Sequence, residues 1–250
     1  MSQISTEPEG HATPARLEAD VRALEGERHP LTSPRALAAA ADYTERELRA
    51  SGLAVERRPF TFGGETYFNL VAVQPGTDPA RPRVLVGAHF DSVRGTPGAD
   101  DNASGVAGVL EVARLLRHAR LAATVEYVGF NLEELQTYTY RVGSRRYAAA
   151  QRRAGVRYAG ALVLEMLGYV SPARPAVPAL LFWKKIPRTS TFIAATGDGQ
   201  SAGLLRTFAE SARAAVPDLP ENQEYKSTFS FLFRNPIHAA EITRQKGLRS

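Results

Sequence analysis

The stretch GAHFDSVRGTPGADDNASG, residues 87–105, holds one histidine and three aspartates within nineteen positions. These residues are His89, Asp91, Asp100 and Asp101. Carboxylates crowded this closely repel one another and raise each other's pKa unless a positive charge lies among them. Imidazole and carboxylate are also the ligands that zinc, manganese and cobalt take in proteins when no sulfur is present. The stretch therefore predicts half of a divalent-metal site.

Further carboxylates follow two later apolar segments of the chain. Glu133 and Glu134 come within four residues of TVEYVGF, and Glu165 lies near the end of AGALVLEML. Both segments are typical of buried strands, as is RVLVGAHF, which ends next to His89 and Asp91. Open α/β sheets bind their ligands beyond the carboxyl ends of the strands, so we expect all these side chains at one edge. Two metals sharing a bridging carboxylate, roughly 3.5–4 Å apart, would use every one of them.

Each of these residues also has an ordinary structural explanation when it is taken alone. A histidine at a strand end is commonly a surface residue or a satisfied core residue. The segment ADDNASG could cap the following helix through Asn102 or Ser104. Glu133 and Glu134 could be a solvated pair. Their joint occurrence at successive strand ends favours the metal site.

The surrounding pattern predicts the fold that would position these residues. Two helical segments lie within residues 17–52, and the second has Ser33 as a predicted N-cap, followed by Pro34 at the first helical position. An alternating pair of strands joined at Gly63-Gly64 comes next, and strands then alternate with helices up to residue 216. This order predicts a single three-layer α/β/α domain with a mixed, mostly parallel twisted sheet. We expect residues 1–16 to be a flexible N-terminal tail and residues 17–250 to form the domain.

The composition excludes several classes of function. The 250 residues are 44% hydrophobic and 23% charged, which suits a globular protein with a sizeable core. The absence of cysteine excludes disulfides, thiolate zinc sites and a cysteine nucleophile. No run of 18 apolar residues exists, so no membrane partner is expected.

Charge and the amino-terminal sequence give two further expectations. The net charge is +5, but the arginines are spread along the chain, as in RALEGERHP, and we interpret them as solvated surface. Nucleic acid is therefore not an expected partner. The first residues lack an apolar signal region, which indicates a cytoplasmic protein, although a precursor trimmed before this numbering would look the same.

Four motifs, HFDS, PGADDNASG, FNLEE and LEMLGY, resemble in order and spacing those of the di-zinc aminopeptidase family. That family includes bacterial leucyl aminopeptidases, glutamate carboxypeptidases and glutaminyl cyclases, and the resemblance covers roughly residues 17–215. It implies a zinc-dependent exopeptidase that hydrolyses the N-terminal bond of a peptide substrate with a free N-terminus. The expected cofactor is zinc, two ions per chain, with one ion as the alternative.

The resemblance also implies a role for each matching residue. The metal ligands would be His89, Asp101, Glu134, Glu165 and His238. Asp101 would bridge the two metals, and Asp91 would fix the imidazole of His89. Glu133 would be the general base that takes a proton from the attacking water. In the family the peptide bond that corresponds to Asp100–Asp101 is commonly cis.

The chain departs from the family pattern at several positions. Glu165 stands where the family usually has an aspartate, and His238, in FRNPIHAAE, is one residue short of the usual spacing. Extra residues follow Glu134, among them Tyr138 and Tyr140, which either line the substrate pocket or pack on the surface. Residues 217–235 are too few for the loop and strand that relatives carry there, which predicts a shortened C-terminal part.

Two other functions remain alternatives to the hydrolase. One is a single-zinc acyltransferase of the glutaminyl cyclase type, which would use His89, Glu134 and Glu165. The other is a catalytically impaired relative that acts as a binding protein. The number of bound metal ions and the presence of turnover distinguish the three.

Overall fold

A computed structural model describes residues 10–134, 141–170, 193–216, 224–226 and 239–244. The described residues form five α-helices and one eight-stranded sheet. The helices are α1 (Pro14–Leu24), α2 (Pro34–Ala50), α3 (Gly105–Leu116), α4 (Val142–Arg153) and α5 (Ala202–Ala215). The strands are β1 (Ala54–Phe62), β2 (Glu65–Gln74), β3 (Arg83–His89), β4 (Val125–Phe130), β5 (Tyr158–Glu165), β6 (Ile193–Gly197), β7 (Glu224–Lys226) and β8 (Ala239–Arg244).

The sheet is mixed, with a parallel centre. Its strand order is β1-β2-β4-β3-β5-β8-β6-β7, and the four central strands β4, β3, β5 and β8 run parallel to one another. The remaining pairs are antiparallel except β6 with β7. The parallel centre places the carboxyl ends of β3, β4 and β5 side by side. We call this the carboxyl edge of the sheet.

Helices cover both faces of the sheet, which confirms the predicted α/β fold class. On one face, α3 packs through the apolar stripe that its sequence predicts, with Val106, Val109, Leu110 and Ala113 all buried. On the other face, Tyr147 of α4 meets Phe130 of β4 edge to face, with ring centroids 5.9 Å apart. The core therefore lies in two layers, one on each side of β3 and β4.

Both ends of the described chain differ in detail from the sequence expectation. Helix α1 begins at Pro14, within the segment expected to be a tail, and the amide of Thr13 donates to Glu111 Oε1 over 3.2 Å. Near the other end, the segment expected to lack a strand contributes β7, and β8 follows His238. Within the described residues, no helix combines the length and apolarity needed to cross a membrane.

A buried carboxylate on β4 ties three strands to helix α4. Glu126 is 0% exposed and accepts hydrogen bonds from the hydroxyls of Tyr147 and Tyr158 and from the guanidinium of Arg83. Burial alone would raise the pKa of Glu126, but these three hydrogen bonds outweigh it and lower that pKa. Because α4 begins next to the carboxyl edge, this cluster helps to fix the elements that surround the site.

We expect Glu126→Gln to destabilise the protein in a pH-dependent way. A carboxyl group with a lowered folded-state pKa stabilises the fold above its unfolded pKa and loses that effect as the pH falls through the folded pKa. The variant should lose about 1–3 kcal/mol of unfolding free energy at pH 7, and less below pH ~4. Urea unfolding at both pH values measures this difference.

The matched control is Glu18→Gln, which breaks an exposed ion pair with Arg22 on α1. It should change the unfolding free energy by less than about 0.5 kcal/mol. A Glu126→Gln penalty of equal size at both pH values would contradict the assignment of a charged, hydrogen-bonded Glu126.

Candidate metal centre

Three predicted ligands meet at the carboxyl edge. His89 ends β3, Glu165 ends β5, and Asp101 lies in the irregular turn between β3 and α3. His89 Nε2 is 3.3 Å from Asp101 Oδ1 and 3.2 Å from Glu165 Oε1, and one ligand atom from each residue lies within 4.8 Å of the others. The parallel strands thus bring together residues that are up to 76 positions apart in sequence.

Asp91 lies directly behind the imidazole of His89. His89 Nδ1 is 3.1 Å from the Asp91 carbonyl oxygen and 3.4 Å from Asp91 Oδ1, which leaves Nε2 facing the cluster. The other carboxylate oxygen, Oδ2, accepts a hydrogen bond of 2.8 Å from the amide of Glu134. Asp91 is fully buried and therefore links the histidine to the segment that follows β4. A histidine ligand is commonly oriented by such a partner on its second nitrogen.

Asn102 holds Glu165, the predicted ligand that stands where the family usually has an aspartate. Its Nδ2 donates to Glu165 Oε2 over 3.2 Å and to the Leu164 carbonyl over 2.9 Å. Its Oδ1 accepts from the amides of Gly105 and Met166. These four bonds use the full hydrogen-bonding capacity of the buried amide. Sequence reasoning considered Asn102 only as a helix cap and did not identify its contact with a ligand.

Asp100 binds backbone instead of joining the ligand cluster. Its Oδ1 accepts from the amides of Gly168 and Tyr169, over 2.8 and 3.0 Å, and so fixes the turn after β5. Burial still raises the pKa of Asp100 above its usual value. The cis peptide bond of this turn joins Asp101 and Asn102, so the expectation that it joins Asp100 and Asp101 is wrong by one residue.

Glu133, the predicted general base, is held by the start of α4. Its two carboxylate oxygens accept hydrogen bonds from the amide and the hydroxyl of Ser144, over 2.7 and 2.8 Å. Gly143 N donates to the Asn131 carbonyl, and a Cβ at Gly143 would lie 2.1 Å from that oxygen, so only glycine fits this approach. Ser144 is a second residue that sequence reasoning did not identify.

Burial and neighbouring charges shift the pKa values of the titratable side chains at this edge. Burial raises the pKa of Glu133 to about 7, against the hydrogen bonds from Ser144. Burial and the negative charges of Asp101, Asp91 and Glu165 likewise raise the pKa of Glu134 to about 7, although the positive charge of His89 opposes them. Burial alone would lower the pKa of His89, but the charge of Glu165 and the hydrogen bonds to three carboxylates raise it well above its usual range.

Some predicted site residues do not join the cluster or are not described. Glu134 lies close enough to Asp101 and Glu165 for their charges to raise its pKa, but it does not belong to the three-residue cluster. His238, Tyr138 and Tyr140 lie outside the described residues, and their roles stay predictions. Ala239, which follows His238, pairs with Ala161 near the start of β5, whereas Glu165 is at the other end of that strand.

The ligand cluster fits a zinc-type cation. Its donors are one imidazole nitrogen and carboxylate oxygens, without sulfur, and the negative charges of Asp101, Asp91 and Glu165 all raise the pKa of the neighbouring Glu134. Tetrahedral zinc with bonds of about 2.0–2.1 Å separates neighbouring ligand atoms by about 3.3 Å. The contacts from His89 Nε2 to Asp101 and Glu165, 3.3 and 3.2 Å, match this spacing.

Comparison with known families agrees with this chemistry. The family model "Peptidase family M28" matches residues 69–230, which is more than half of the chain. The chain belongs to the M28 peptidase family. The matched range contains β3, β4, β5 and all three residues of the cluster, and membership confirms the predicted di-zinc aminopeptidase resemblance.

This M28 chain is similar in sequence to several curated proteins, two of which carry the names of peptidases. It is 34% identical over 209 residues to "Uncharacterized protein YfbL" of Escherichia coli, covering 78% of this chain and 63% of that one. It is 33% identical over 193 residues to a "Probable zinc metalloprotease" of Pyricularia oryzae, covering 66% and 38%. It is 35% identical over 75 residues to "Aminopeptidase YwaD" of Bacillus subtilis, covering 30% and 16%. The chain thus spans less than two thirds of the length of each of these relatives.

Solved structures share the fold at lower identity. A glutaminyl cyclase of Porphyromonas gingivalis aligns with a TM-score of 0.68 and 22% identity, over 93% of this chain and 82% of that one. A leucine aminopeptidase precursor of Bacteroides thetaiotaomicron aligns with a TM-score of 0.64 and 18% identity, over 94% and 84%. The M28 fold therefore accommodates both proteins, and it does not by itself choose between their activities.

The metal-free protein should become less stable as the pH rises from 5.5 to 8. The folded protein raises the pKa of Glu133, Glu134 and His89. A group with a raised folded-state pKa stabilises the fold at low pH, and this effect is lost as the pH rises through that pKa. After treatment with a chelator, the melting temperature should fall by roughly 5 °C over this interval. Differential scanning calorimetry at the two pH values measures this change in melting temperature.

Two comparisons make this test specific to the cluster. Glu134→Gln should flatten the pH dependence, because it removes one of the raised carboxyl groups. Added zinc should stabilise the wild type most at pH 8, where the ligands are deprotonated. A metal-free wild type that is equally stable at both pH values would contradict the described electrostatics of the cluster.

Proposed function

We propose that the chain is a zinc-dependent aminopeptidase that hydrolyses the first peptide bond of substrates with a free N-terminus. Membership of the M28 peptidase family supports a hydrolase, and the exopeptidase activity is a further step of the proposal. The observation that carries the proposal is the cluster of His89, Asp101 and Glu165 next to the buried carboxyl group of Glu133.

In this proposal the residues of the carboxyl edge hold zinc. His89, Asp101 and Glu165 would hold one ion, and Asp101 with Glu134 would hold a second beside it. Bound zinc supplies Lewis acidity, which lowers the pKa of water and polarises a carbonyl group. The Pyricularia oryzae relative is also named as a zinc metalloprotease.

Glu133 would move the proton during hydrolysis. Its pKa of about 7 suits a group that both accepts and donates protons near neutral pH. It would accept a proton from the attacking water as the new carbon–oxygen bond forms. It would then donate that proton to the leaving amine as the carbon–nitrogen bond breaks. Ser144 would keep its carboxylate in place during both steps.

The charge of the site favours a substrate with a free amino group. Glu134 and Asp101 are carboxylates near the predicted point of attack, and an N-terminal ammonium group would offset part of their repulsion. An internal peptide bond has no such charge next to it. The name of the relative YwaD agrees with this choice, since it is an aminopeptidase.

A single-zinc glutaminyl cyclase is the second candidate. The fold of the Porphyromonas enzyme supports it, and the described cluster contains three ligands for one ion. Such an enzyme would let a substrate's own amine attack its side-chain amide, with release of ammonia. This reaction consumes no water.

The deciding experiment measures zinc content and turnover together. Purified protein should bind close to two zinc ions per chain and should hydrolyse leucine 4-nitroanilide. Glu133→Gln should lower kcat by about 10³-fold with zinc content unchanged, because it removes the proton-transfer group and spares the ligands. Glu56→Gln, an exposed change on β1, is the matched control and should keep full activity.

Other outcomes would support the alternatives. One zinc per chain, with ammonia release from an N-terminal glutaminyl peptide and no anilide hydrolysis, would favour the cyclase. Zinc-free folded protein without either activity would favour a binding protein. Equal rates for the wild type and Glu133→Gln would contradict the role of Glu133.

A further inference from the structure

We propose that Arg28 is a positioning residue that joins the two chain segments carrying His89 and Asp101. The proposal rests on the metal site proposed above. It concerns a residue that lies outside the ligand cluster, in the connection between α1 and α2.

The guanidinium of Arg28 forms a direct bridge between the two segments. Its Nε donates to the Phe90 carbonyl over 2.9 Å, and its Nη2 donates to the Gly98 carbonyl over 2.8 Å. Phe90 directly follows His89, and Gly98 lies three residues before Asp101. One rigid planar group therefore sets the distance between the end of β3 and the start of the turn that carries Asp101.

The same side chain is itself firmly held. Its Nη1 donates to the Gly26 carbonyl over 2.7 Å and also to the Leu24 carbonyl at the end of α1. The amide of Arg28 donates to Ser92 Oγ over 2.8 Å, and the amide of Ser92 donates back to the Arg28 carbonyl over 3.3 Å. Helix α1 thus anchors the bridge, so a shift of either segment would break several hydrogen bonds together.

The turn is shaped to admit the guanidinium. Gly98 has a φ of +58°, and a Cβ there would lie 2.6 Å from Arg28 Nη2 and 2.7 Å from the Cβ of Ser92. Any larger residue would push the arginine out of its position. The glycine before Ala99 is therefore explained by the close approach of Arg28.

The charge of Arg28 is buried close to the carboxylates of the site. Arg28 is 2% exposed, and in the described part of the chain its guanidinium donates to backbone carbonyl oxygens and forms no ion pair with a carboxylate. Burial lowers its pKa, and the opposite charges that act on it are those of Asp91 and Asp101. A buried cation is costly without compensation, and here the site's own carboxylates supply part of it.

The test compares Arg28→Lys and Arg28→Met with a matched control, Arg114→Met. Arg114 also lies in a partly buried polar network, bound to Asp20 and Glu47 between the helices, and its contacts within the described residues do not reach the carboxyl edge. Zinc affinity is measured by competition with a chromogenic chelator, and folding is checked by circular dichroism and melting temperature.

Arg28→Met should lower zinc affinity by about 10–100-fold, as expected for a residue that orients metal ligands. Arg28→Lys should show a smaller loss, because lysine keeps the charge but cannot reach both carbonyl oxygens in one plane. Arg114→Met should lower the melting temperature and leave zinc affinity within about twofold of the wild type. In the metal-free proteins, amide hydrogen exchange at residues 98–101 should increase in both Arg28 variants and stay unchanged in Arg114→Met.

Two results would overturn the proposal, and they differ from each other. If both Arg28 variants bind zinc as tightly as the wild type while their melting temperatures fall, Arg28 is only a structural residue and the proposed metal site stands. If the wild type itself binds no zinc, the proposed function fails and this proposal fails with it. Should Arg28→Met not fold, the affinity and hydrogen exchange of Arg28→Lys decide.

Discussion

Electrostatic repulsion at the carboxyl edge is the constraint on which the rest of the site depends. Parallel strands β3 and β5 end beside each other, and β4 ends on the far side of β3. Each strand delivers acidic or imidazole side chains to that edge, in a place where burial weakens solvation. The raised pKa values of Glu133 and Glu134 are the direct sign of this cost. A divalent cation at the cluster would relieve it.

Hydrogen bonds keep the predicted ligands together without using the atoms that would bind the metal. They leave His89 Nε2 and Glu165 Oε1 facing the centre of the cluster. Asp91 contacts the Nδ1 side of His89, Asn102 donates to Glu165, and Arg28 joins the end of β3 to the turn that carries Asp101. Ser144 holds Glu133 differently, by donating to both of its carboxylate oxygens. These supports come from the segment after β3, the connection between α1 and α2, the turn before α3 and the start of α4. The helices therefore contribute to the chemistry by positioning, although they supply none of the three clustered ligands.

The sequence predicts much of this arrangement because its signals are local. Apolar runs mark the strands, a helical stripe marks α3, the polar residues at the strand ends identify His89 and Glu165, and the motif PGADDNASG identifies Asp101. Arg28 could not be found this way, and it was interpreted as a solvated surface residue. Its burial depends on carbonyl groups 62 and 70 positions away, which no local pattern reveals. The contact of Asn102 with Glu165 also joins distant segments, and β8 was missed because its sequence, AAEITR, has no long apolar run.

The most direct measurement is X-ray diffraction from crystals grown with zinc, recorded at the zinc absorption edge. Anomalous density should appear among His89 Nε2, Asp101 and Glu165, about 2.0–2.2 Å from each ligand atom. A second peak beside Asp101, toward Glu134, would correspond to the other ion. Absence of anomalous density among these three residues, in crystals that contain zinc elsewhere on the protein, would contradict the metal centre.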